Sequence, residues 1–470
     1  MQTKGTTEME RRNFLKCASL CGAGLLGLGT AALTAGNADG TNQKASPPLA
    51  CDINSKIDPR DAPWTHLGWQ KHGVVRFNGS EARQTLHAEL YFIGGEWEYN
   101  NSQMPYLVYI PERKRLILAA SVDKPATKAT AVFSDDFGKT WTKPTRMHTN
   151  TVGNPDLGAA TQLTYLGNGK LIIGSESRYW SSTDFGQTWT DYAPVPLGSE
   201  GKMMYPWDPM LVDKDPETGK VIRLVETRYK ENGRFDTPEY FSQGCVRFST
   251  GDGKTWSKEI NVPQWKGANE IVLCRAKNGD MVAACRTDNS IQFLGLDNDQ
   301  FSGLATSVSK DNGYTWSGPN PVYAWGRHHP HMITMPDGDI VMTYVVRNGY
   351  IADKNGLCRF GIEAVVSKDN GATWDLDHKY ILASNNSTMK NGRENWGSPQ
   401  STSSVLLPDG SLLTAFGTGV RNVPAQTLWK MDVALVKWRP DSKPVDSQDT
   451  LRRAPYSSDL RNKFDLDSIP

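Results

Sequence analysis

An eight-residue pattern, Ser-x-Asp-x-Gly-x-Thr-Trp, recurs along the chain and limits the possible folds more than any other feature. The complete copies are Ser134–Trp141, Ser182–Trp189, Ser309–Trp316 and Ser367–Trp374. In a further copy, Ser249–Trp256, Gly251 stands in the place of the Asp. Asp and Gly favour a tight turn, and the Trp supplies a large apolar face that packs between sheets. The copies therefore predict a series of equivalent, stacked hairpins.

The spacing of these copies predicts a propeller. Their Trp residues are 48, 67, 60 and 58 positions apart, which fits a four-stranded blade with loops of variable length. An apolar hairpin lies ahead of each copy, and another near the end of the chain has no copy after it. We therefore predict an all-β, six-bladed β-propeller whose blades start near residues 104, 155, 205, 268, 329 and 397. The segment Gly73–Phe92 is expected to close the ring.

The first 40 residues have the pattern of an export signal. Arg11-Arg12 come just before Phe14-Leu15-Lys16, and an apolar stretch with small residues at its end then runs from Cys17 to about Ala35. This order predicts a twin-arginine-like bacterial signal and a periplasmic or secreted protein without stable membrane insertion. A membrane anchor is the alternative, because the stretch is long enough to span a bilayer. The predicted segments are the signal at 1–40, a lead segment at 41–72, the propeller at 73–440 and a polar tail at 441–470.

Charge and cysteine content narrow the possible partners. The chain has 52 Lys and Arg against 51 Asp and Glu, so no basic surface for nucleic acid is expected. No CxxC spacing indicates a zinc site, and we predict neither a metal nor a cofactor. Cys274 and Cys285 flank the Asn278-Gly279 turn, so they form either a disulfide across a hairpin or a pair of free thiols.

Candidate site residues follow from the expected geometry, because propellers bind ligands on loops at one end of the central axis. The candidates that open blades are Gln103, Tyr205, Trp207, Asp208, Glu270, Arg327, His329 and His331. Two arginines that follow an inner hairpin, Arg286 and Arg347, are candidates for binding an acidic sugar. A second pair of this kind, Glu226 and Arg228, occurs one blade earlier than Arg286.

Two of the segments that open predicted blades contain groups suited to acid and base catalysis. Asp208 stands between Trp207 and Pro209, where an apolar neighbour would raise its pKa as a general acid requires; an ordinary turn Asp is the alternative. Strand alternation would point His329 and His331 to one side and His328 to the other. The paired histidines are then either an acid or base near neutral pH, hydrogen-bonding groups for sugar hydroxyls, or structural residues.

The repeats resemble the Asp boxes, or BNR repeats, of the sialidase-like superfamily. Asn269-Glu270-Ile271, the Asn278-Gly279 turn and Cys285-Arg286 together resemble the fourth-blade pattern of that superfamily. The resemblance implies that Glu270 is the activating carboxylate and that Arg286 and Arg347 grip a sugar carboxylate. The chain departs from the pattern where Gln103-Met104-Pro105 lacks the first arginine, where Ala129-Thr130-Ala131 lacks the acid, and where Trp396–Gln400 lacks the tyrosine.

Three hypotheses for function follow. The first is an exported glycoside hydrolase of this superfamily that releases a terminal, acidic sugar from a glycan, with catalytic residues Glu270, Asp208, His329 and His331. The second is a polysaccharide lyase acting on uronic-acid chains, which would use the histidines, Tyr205 and Arg347. The third is a glycan-binding propeller without catalysis, in which Trp207 and Trp396 serve as stacking platforms. The fold alone does not choose among them.

Overall fold

The computed structural model describes most of the predicted propeller. The described residues are 68–79, 82–94, 104–122, 128–149, 157–175, 177–233, 237–288, 302–347, 357–390, 393–394, 401–418, 421–422, 429–430 and 432–444. The predicted export signal, Gln103, Trp396 and the tail beyond residue 444 lie outside them. No helix in the described part of the chain has the length and apolar character needed to cross a bilayer.

The first described elements are an antiparallel pair of strands, followed by four separate four-stranded antiparallel sheets. The pair consists of β1 (Gln70–Asn78) and β2 (Ala82–Phe92). Sheet I contains β3 (Tyr106–Ile110), β4 (Arg115–Val122), β5 (Lys128–Ser134) and β6 (Thr145–Arg146), with a 3-10 turn at Pro111–Arg113. Sheet II contains β7 (Ala160–Gly167), β8 (Lys170–Ser175), β9 (Arg178–Ser182) and β10 (Thr190–Pro194). Sheet III contains β11 (Leu211–Lys214), β12 (Val221–Asn232), β13 (Phe241–Ser249) and β14 (Ile260–Lys266). Sheet IV contains β15 (Ala268–Arg275), β16 (Met281–Thr287), β17 (Gly303–Ser309) and β18 (Asn320–Tyr323).

The remaining long strands share one large sheet. They are β19 (Arg327–Thr334), β20 (Ile340–Val346), β21 (Leu357–Ser367), β22 (Tyr380–Lys390), β24 (Thr402–Leu406), β25 (Leu412–Gly417) and β28 (Val433–Trp438). Their order is β19-β20-β21-β22-β1-β2-β28-β25-β24. The short strand β23 (Arg393–Glu394) pairs with β22, and β26 (Arg421–Asn422) pairs with β27 (Trp429–Lys430).

The chain's first strands join its last ones in the large sheet. Val75 of β1 pairs with Ile381 of β22, while Leu90 of β2 pairs with Val436 of β28. This pairing covers strand edges that would otherwise present open backbone groups. The segment expected to close the ring therefore lies between two groups of late strands, and it links them into one sheet.

Apolar clusters hold successive sheets together, because both faces of most inner strands are covered. Each cluster joins two neighbours: Ile117 with Leu171 for sheets I and II, Ile172 with Leu224 for II and III, Val246 with Ile271 for III and IV, Val282 with Met342 for IV and the large sheet, and Leu118 with Leu413 for the large sheet and I. The predictions of an all-β fold and of propeller-like, antiparallel sheets are confirmed. Four blades are separate sheets, and the strands predicted as the last two blades are joined through β1 and β2.

The Asp boxes form the tight turns that their sequence predicts. In the second copy, Asp184 accepts hydrogen bonds from the backbone N–H of Thr188 at 2.9 Å and from its hydroxyl at 2.6 Å. The Ser182 hydroxyl accepts a bond from the N–H of Gly186 at 2.9 Å. In the degenerate copy the Ser249–Gly253 bond remains, but among the described residues the Asp252 side chain accepts a bond from the N–H of Lys254 alone.

The hairpin of β15 and β16 settles the question left open by its cysteines. Cys274 pairs across the strands with Val282, and Cys285 pairs with Ile271, so the two cysteines are not opposite each other. Both are free and buried, as is Cys245. Burial raises the pKa of each of these thiols to about 12, which keeps them protonated and unreactive.

Candidate active site

A pocket lies where the openings of four blades meet. About 280 Å³ of space free of protein atoms lies among its lining residues, and this volume includes open solvent. The lining residues come from the segments that open β3, β11, β19 and β24, and they are Pro105, Tyr106, Trp207, Asp208, Pro209, His329, Pro330, His331, Ser401, Thr402 and Ser403. Chain segments that are far apart in sequence thus converge on one site, as expected for the end of a propeller axis.

A carboxylate beside this pocket, that of Glu270, lies close to a guanidinium and to an imidazole. Arg286 Nη1 on β16 lies 3.1 Å from Glu270 Oε1 on β15, and His329 Nε2 on β19 lies 3.1 Å from Glu270 Oε2. The Glu270 side chain is only 6% exposed. A guanidinium beside a buried carboxylate favours the ionised form of that carboxylate. The structure therefore brings together three of the residues predicted for the site.

The backbone is strained at both contacting residues. Glu270 has a φ of 46° and His329 a φ of 49°, a region that side-chain-bearing residues rarely adopt. Each residue lies in a bulge where the pairing register of its strand shifts. Such strain costs on the order of 1–3 kcal/mol per residue and clusters at functional sites. The strain identifies Glu270 and His329 as positions that the surrounding fold holds in place.

Asp208 supplies a second carboxyl group at the same site. Burial raises the pKa of Asp208 well above its ordinary value of 3.8, and the charge of Glu270 raises that pKa further. Its Oδ2 atom is buried and accepts no hydrogen bond from the described residues. The protonated form of Asp208 is therefore favoured beside an ionised Glu270. A carboxyl whose environment favours its protonated form, close to a carboxylate that contacts an arginine, is the expected arrangement for an acid and a base.

His331 also lines the pocket but is not charged near neutral pH. Burial lowers the pKa of His331 to about 4. Its Nδ1 accepts the backbone N–H of Ser404 at 3.3 Å, so in the neutral ring the hydrogen is on Nε2. This environment makes His331 a hydrogen-bond donor to a ligand and argues against the acid or base role predicted for it.

The bulge on β19 changes the expected directions of the histidines. Strict alternation predicts that His328 points away from His329, but the register shift between His328 and His331 breaks the alternation. The rings of His328 and His329 lie 4.8 Å apart, and only His329 and His331 line the pocket. The prediction that His328 faces away from its neighbour is therefore wrong, and the extra residue in the bulge is the reason.

Glu270, His328 and His329 are the group best placed to hold a metal ion. One ligand atom from each lies within 4.8 Å of the other two, and all three residues are buried. Carboxylate and imidazole groups suit several divalent ions. However, the guanidinium of Arg286 already neutralises Glu270 at 3.1 Å and would repel a cation there. The site therefore fits an ion pair better than a metal.

Trp207 is fixed at the wall of the pocket. Its Nε1 donates a hydrogen bond to the Tyr229 hydroxyl at 2.9 Å, and its carbonyl accepts the Tyr106 hydroxyl at 3.3 Å. Tyr205 pairs with Tyr229 through the backbone, and their rings lie 5.4 Å apart. Tyr205 thus supports the wall through Tyr229 and is not among the lining residues.

Two predicted arginines are buried. Arg327 is 2% exposed; its guanidinium lies 4.5 Å above the Tyr323 ring, and its Nε is 3.7 Å from Glu363. Arg347 is also 2% exposed, and its backbone N–H bonds the Gly326 carbonyl. Neither arginine lines the pocket, whereas the sequence suggested that both would contact the substrate.

A second Glu–Arg cluster is buried between sheets II and III, away from the pocket lining. Glu226 accepts the Tyr179 hydroxyl at 2.7 Å, and it contacts Arg228 at 2.9 Å and Arg247 at 2.5 Å. All four side chains are at most 2% exposed. The cluster therefore stabilises the fold, although Glu226 and Arg228 occupy the sequence positions that suggested a site.

The sequence reasoning missed the wall formed by Ser401, Thr402 and Ser403. The Thr402 hydroxyl donates to the His329 carbonyl at 3.3 Å, and the Ser403 hydroxyl accepts the N–H of Leu107 at 2.9 Å. These three residues lie at the start of β24, and the other lining residues also lie where the first strand of a blade begins. This shared position is the sequence signal that could have identified them.

Comparisons with known proteins agree with this fold. The family model for the BNR repeat-like domain matches residues 173–417, and the BNR/Asp-box repeat matches residues 132–143. No curated protein matches the chain. A Dyadobacter fermentans protein of unknown function has a TM-score of 0.51 at 16% identity, covering 79% of this chain and 100% of that one.

Two enzymes are among the more distant structural matches. The GH93 α-L-arabinofuranosidase of Fusarium graminearum, solved with arabinobiose, has a TM-score of 0.48 at 14% identity, covering 77% of this chain and 98% of that one. The NanB sialidase of Streptococcus pneumoniae has a TM-score of 0.47 at 12% identity, covering 75% and 70%. The family match spans more than half of the chain, and it agrees with the Asp boxes recognised in the sequence. The chain belongs to the BNR repeat-like domain family.

Proposed function

We propose that this protein is an exported glycoside hydrolase that releases a terminal sugar from a glycan. The observation that carries the proposal is the proximity of two carboxyl groups. Asp208, at the pocket wall, is protonated, and Glu270, beside it, is ionised. Glycosidases need one acid to protonate the leaving oxygen and one carboxylate to act on the anomeric carbon or on water. The two residues meet this requirement without the sialidase tyrosine, which the predicted position of the chain lacks.

In the proposed reaction, Asp208 gives its proton to the glycosidic oxygen as the bond from that oxygen to the anomeric carbon breaks. The bonding electrons leave with the oxygen, and positive charge develops on the sugar ring. The Glu270 carboxylate stabilises this charge and directs the incoming nucleophile, whose final source is water. His329, at 3.1 Å from Glu270, positions that carboxylate. Asp208 regains a proton when water completes the reaction.

The proposal includes a ring of six blades. It is supported by the order of the large sheet, in which β19–β22 and β24-β25-β28-β2 are two four-stranded groups flanking β1. The apolar cluster between these groups includes Val341 and Val436. With sheets I to IV, this division gives six blades, and four of their openings line the pocket.

Export through the twin-arginine-like signal is part of the proposal and has its own test. The full chain would be expressed in a bacterium with a functional twin-arginine pathway, beside an Arg11→Lys, Arg12→Lys variant. We expect the wild-type chain in the periplasm or medium, with a new N-terminus detected by mass spectrometry. Equal export of both chains would contradict this signal type.

Activity is tested by incubating the mature protein with a panel of aryl glycosides and polysaccharides, and by measuring released aglycone and reducing sugar. We expect release with the wild type, and a loss of about 10²- to 10⁴-fold in Asp208→Asn and Glu270→Gln. Asp191→Asn, which alters an exposed ion pair with Arg178, is the matched control. An unsaturated uronate absorbance would indicate a lyase, and binding without any product would indicate a glycan-binding propeller. Either outcome would overturn the hydrolase proposal.

A further inference from the structure

We infer that the pocket takes an uncharged sugar, and that His331 recognises one of its hydroxyl groups by donating a hydrogen bond from Nε2. The inference rests on the proposed function and specifies its substrate class. It replaces the acidic sugar that the sequence suggested. Three features of the site support it: the engagement of the arginines, the charge of the groups at the pocket, and the geometry of His331.

Two of the three candidate arginines, Arg286 and Arg327, contact groups of the protein itself. Arg286 contacts Glu270 at 3.1 Å through Nη1, and its Nε donates to the Ser302 hydroxyl at 3.0 Å. Arg327 lies against the Tyr323 ring, close to Glu363. Bidentate binding of a sugar carboxylate needs two adjacent N–H groups of one guanidinium. A ligand carboxylate on this guanidinium would compete with Ser302 for Nε or with Glu270 for the positive charge, and a weaker pair with Arg286 would leave the buried Glu270 carboxylate less compensated.

The ionisable groups at the pocket favour a neutral ligand. Asp208 lines the pocket, and Glu270 is close enough for its charge to raise the pKa of Asp208. Arg286 already offsets the charge of Glu270, and burial favours the neutral forms of Asp208 and His331, so an anionic sugar would lose its hydration and find no uncompensated positive charge among these four groups. The described lining otherwise consists of aromatic, Pro, Ser and Thr residues together with His329 and His331. Such a lining suits the hydroxyl groups and apolar faces of a neutral sugar ring.

His331 is oriented to donate towards the pocket. The backbone N–H of Ser404 fixes Nδ1 as an acceptor, which places the hydrogen of the neutral ring on Nε2. The residue lines the pocket, and it stays neutral because burial lowers its pKa to about 4. A neutral imidazole N–H bonds a hydroxyl oxygen without the counter-charge that an acidic sugar requires. His331 is therefore assigned as a specificity-determining residue.

The first test compares substrates on the wild-type protein. Aryl glycosides of neutral pentoses and hexoses would be compared with aryl sialosides and aryl glucuronides, using the same aglycone throughout. We expect hydrolysis of at least one neutral glycoside, with kcat/KM on the anionic substrates at least 100-fold lower. Preferred hydrolysis of an anionic glycoside would overturn the inference and leave the proposed function standing. Hydrolysis of none, neutral or anionic, would count against the proposed function itself.

The second test examines His331 with the best neutral substrate. His331→Phe removes the donor and keeps a ring, whereas His331→Gln restores an N–H donor. The loss of one neutral hydrogen bond predicts a KM increase of roughly 3- to 10-fold in the Phe variant and partial recovery in the Gln variant. The limbs of the pH profile should not move, because His331 does not titrate in the working range. An unchanged KM in a folded Phe variant, or a shifted limb, would overturn the assignment.

Discussion

Replacing Glu226 by Gln tests whether the buried Glu226 cluster is structural and distinct from the proposed catalytic group at Glu270. Arg228 and Arg247 contact the Glu226 carboxylate at 2.9 and 2.5 Å. Although burial acts in the opposite direction, their charges hold the pKa of Glu226 at about 2, against an ordinary value of 4.5. That difference corresponds to about 3 kcal/mol of folding free energy at neutral pH. The variant also leaves Arg228 and Arg247 buried without a counter-charge, so we expect a loss of about 3–5 kcal/mol.

The pH dependence of this loss has a defined sign. The pKa of Glu226 is lower in the folded than in the unfolded chain, so its contribution is complete above about pH 4.5 and is lost as pH falls through about 2. Gln does not titrate, and the stability gap between wild type and variant should narrow steadily as the pH falls from 5 to 3. Urea unfolding of both chains at pH 7, 5, 4 and 3 measures this gap.

The matched control is Glu200→Gln, which alters an ion pair whose side chains are 54% and 71% exposed. Exposed pairs contribute little, so we expect a change within 1 kcal/mol. The reasoning is refuted if Glu226→Gln costs less than 1 kcal/mol, or if the gap stays constant with pH. Loss of activity in a Glu226→Gln chain that is still fully folded would show that the cluster belongs to the active site.

Three further substitutions test the site and the scaffold. Glu270→Gln removes the charge that adds to the effect of burial on the pKa of Asp208, so this pKa should fall yet remain above 3.8 because burial persists. Carboxyl ¹³C NMR titration measures the pKa of Asp208 in both proteins. An unchanged pKa would show that Asp208 and Glu270 are not coupled. Asp184→Ala removes the acceptor for the Gln187 and Thr188 N–H groups, so it should cost about 1–2 kcal/mol in thermal unfolding and leave kcat/KM unchanged. Asp252→Ala, in the degenerate box, should cost less, and equal costs would contradict the role given to the complete boxes.

The sequence predicted the scaffold well because its signals are local. Each Asp box closes through bonds within about four residues, such as Ser182 to Gly186, and needs no distant partner. Pairing across the ring is different: nothing in the sequence of β1 indicates that Val75 would meet Ile381 and merge two groups of strands. The sequence therefore identified the repeats but missed the large sheet.

The sequence predicted residues of the candidate site only where the position of a residue within its blade was enough to place it there. Glu270, Arg286, His329 and Asp208 open or follow inner hairpins, and the structure brings them together. The same rule also selected Glu226 and Arg327, because position in a blade does not show which partners bury a side chain. The bulge that redirects His328 requires a positive φ at His329, and no turn-forming Gly or Asn marks that position in the sequence. Burial and bulges depend on tertiary contacts, which a single sequence does not reveal.

The dependence of Asp208→Asn on leaving-group acidity tests the central claim most directly. A general acid matters only when the departing oxygen needs a proton. On the sugar that the wild type prefers, kcat/KM of both proteins would be measured with a dinitrophenyl and with an alkyl aglycone. We predict a loss of at least 100-fold on the alkyl glycoside and a loss below 10-fold on the dinitrophenyl glycoside. Equal losses on both substrates would contradict the assignment of Asp208 as the acid that works with Glu270.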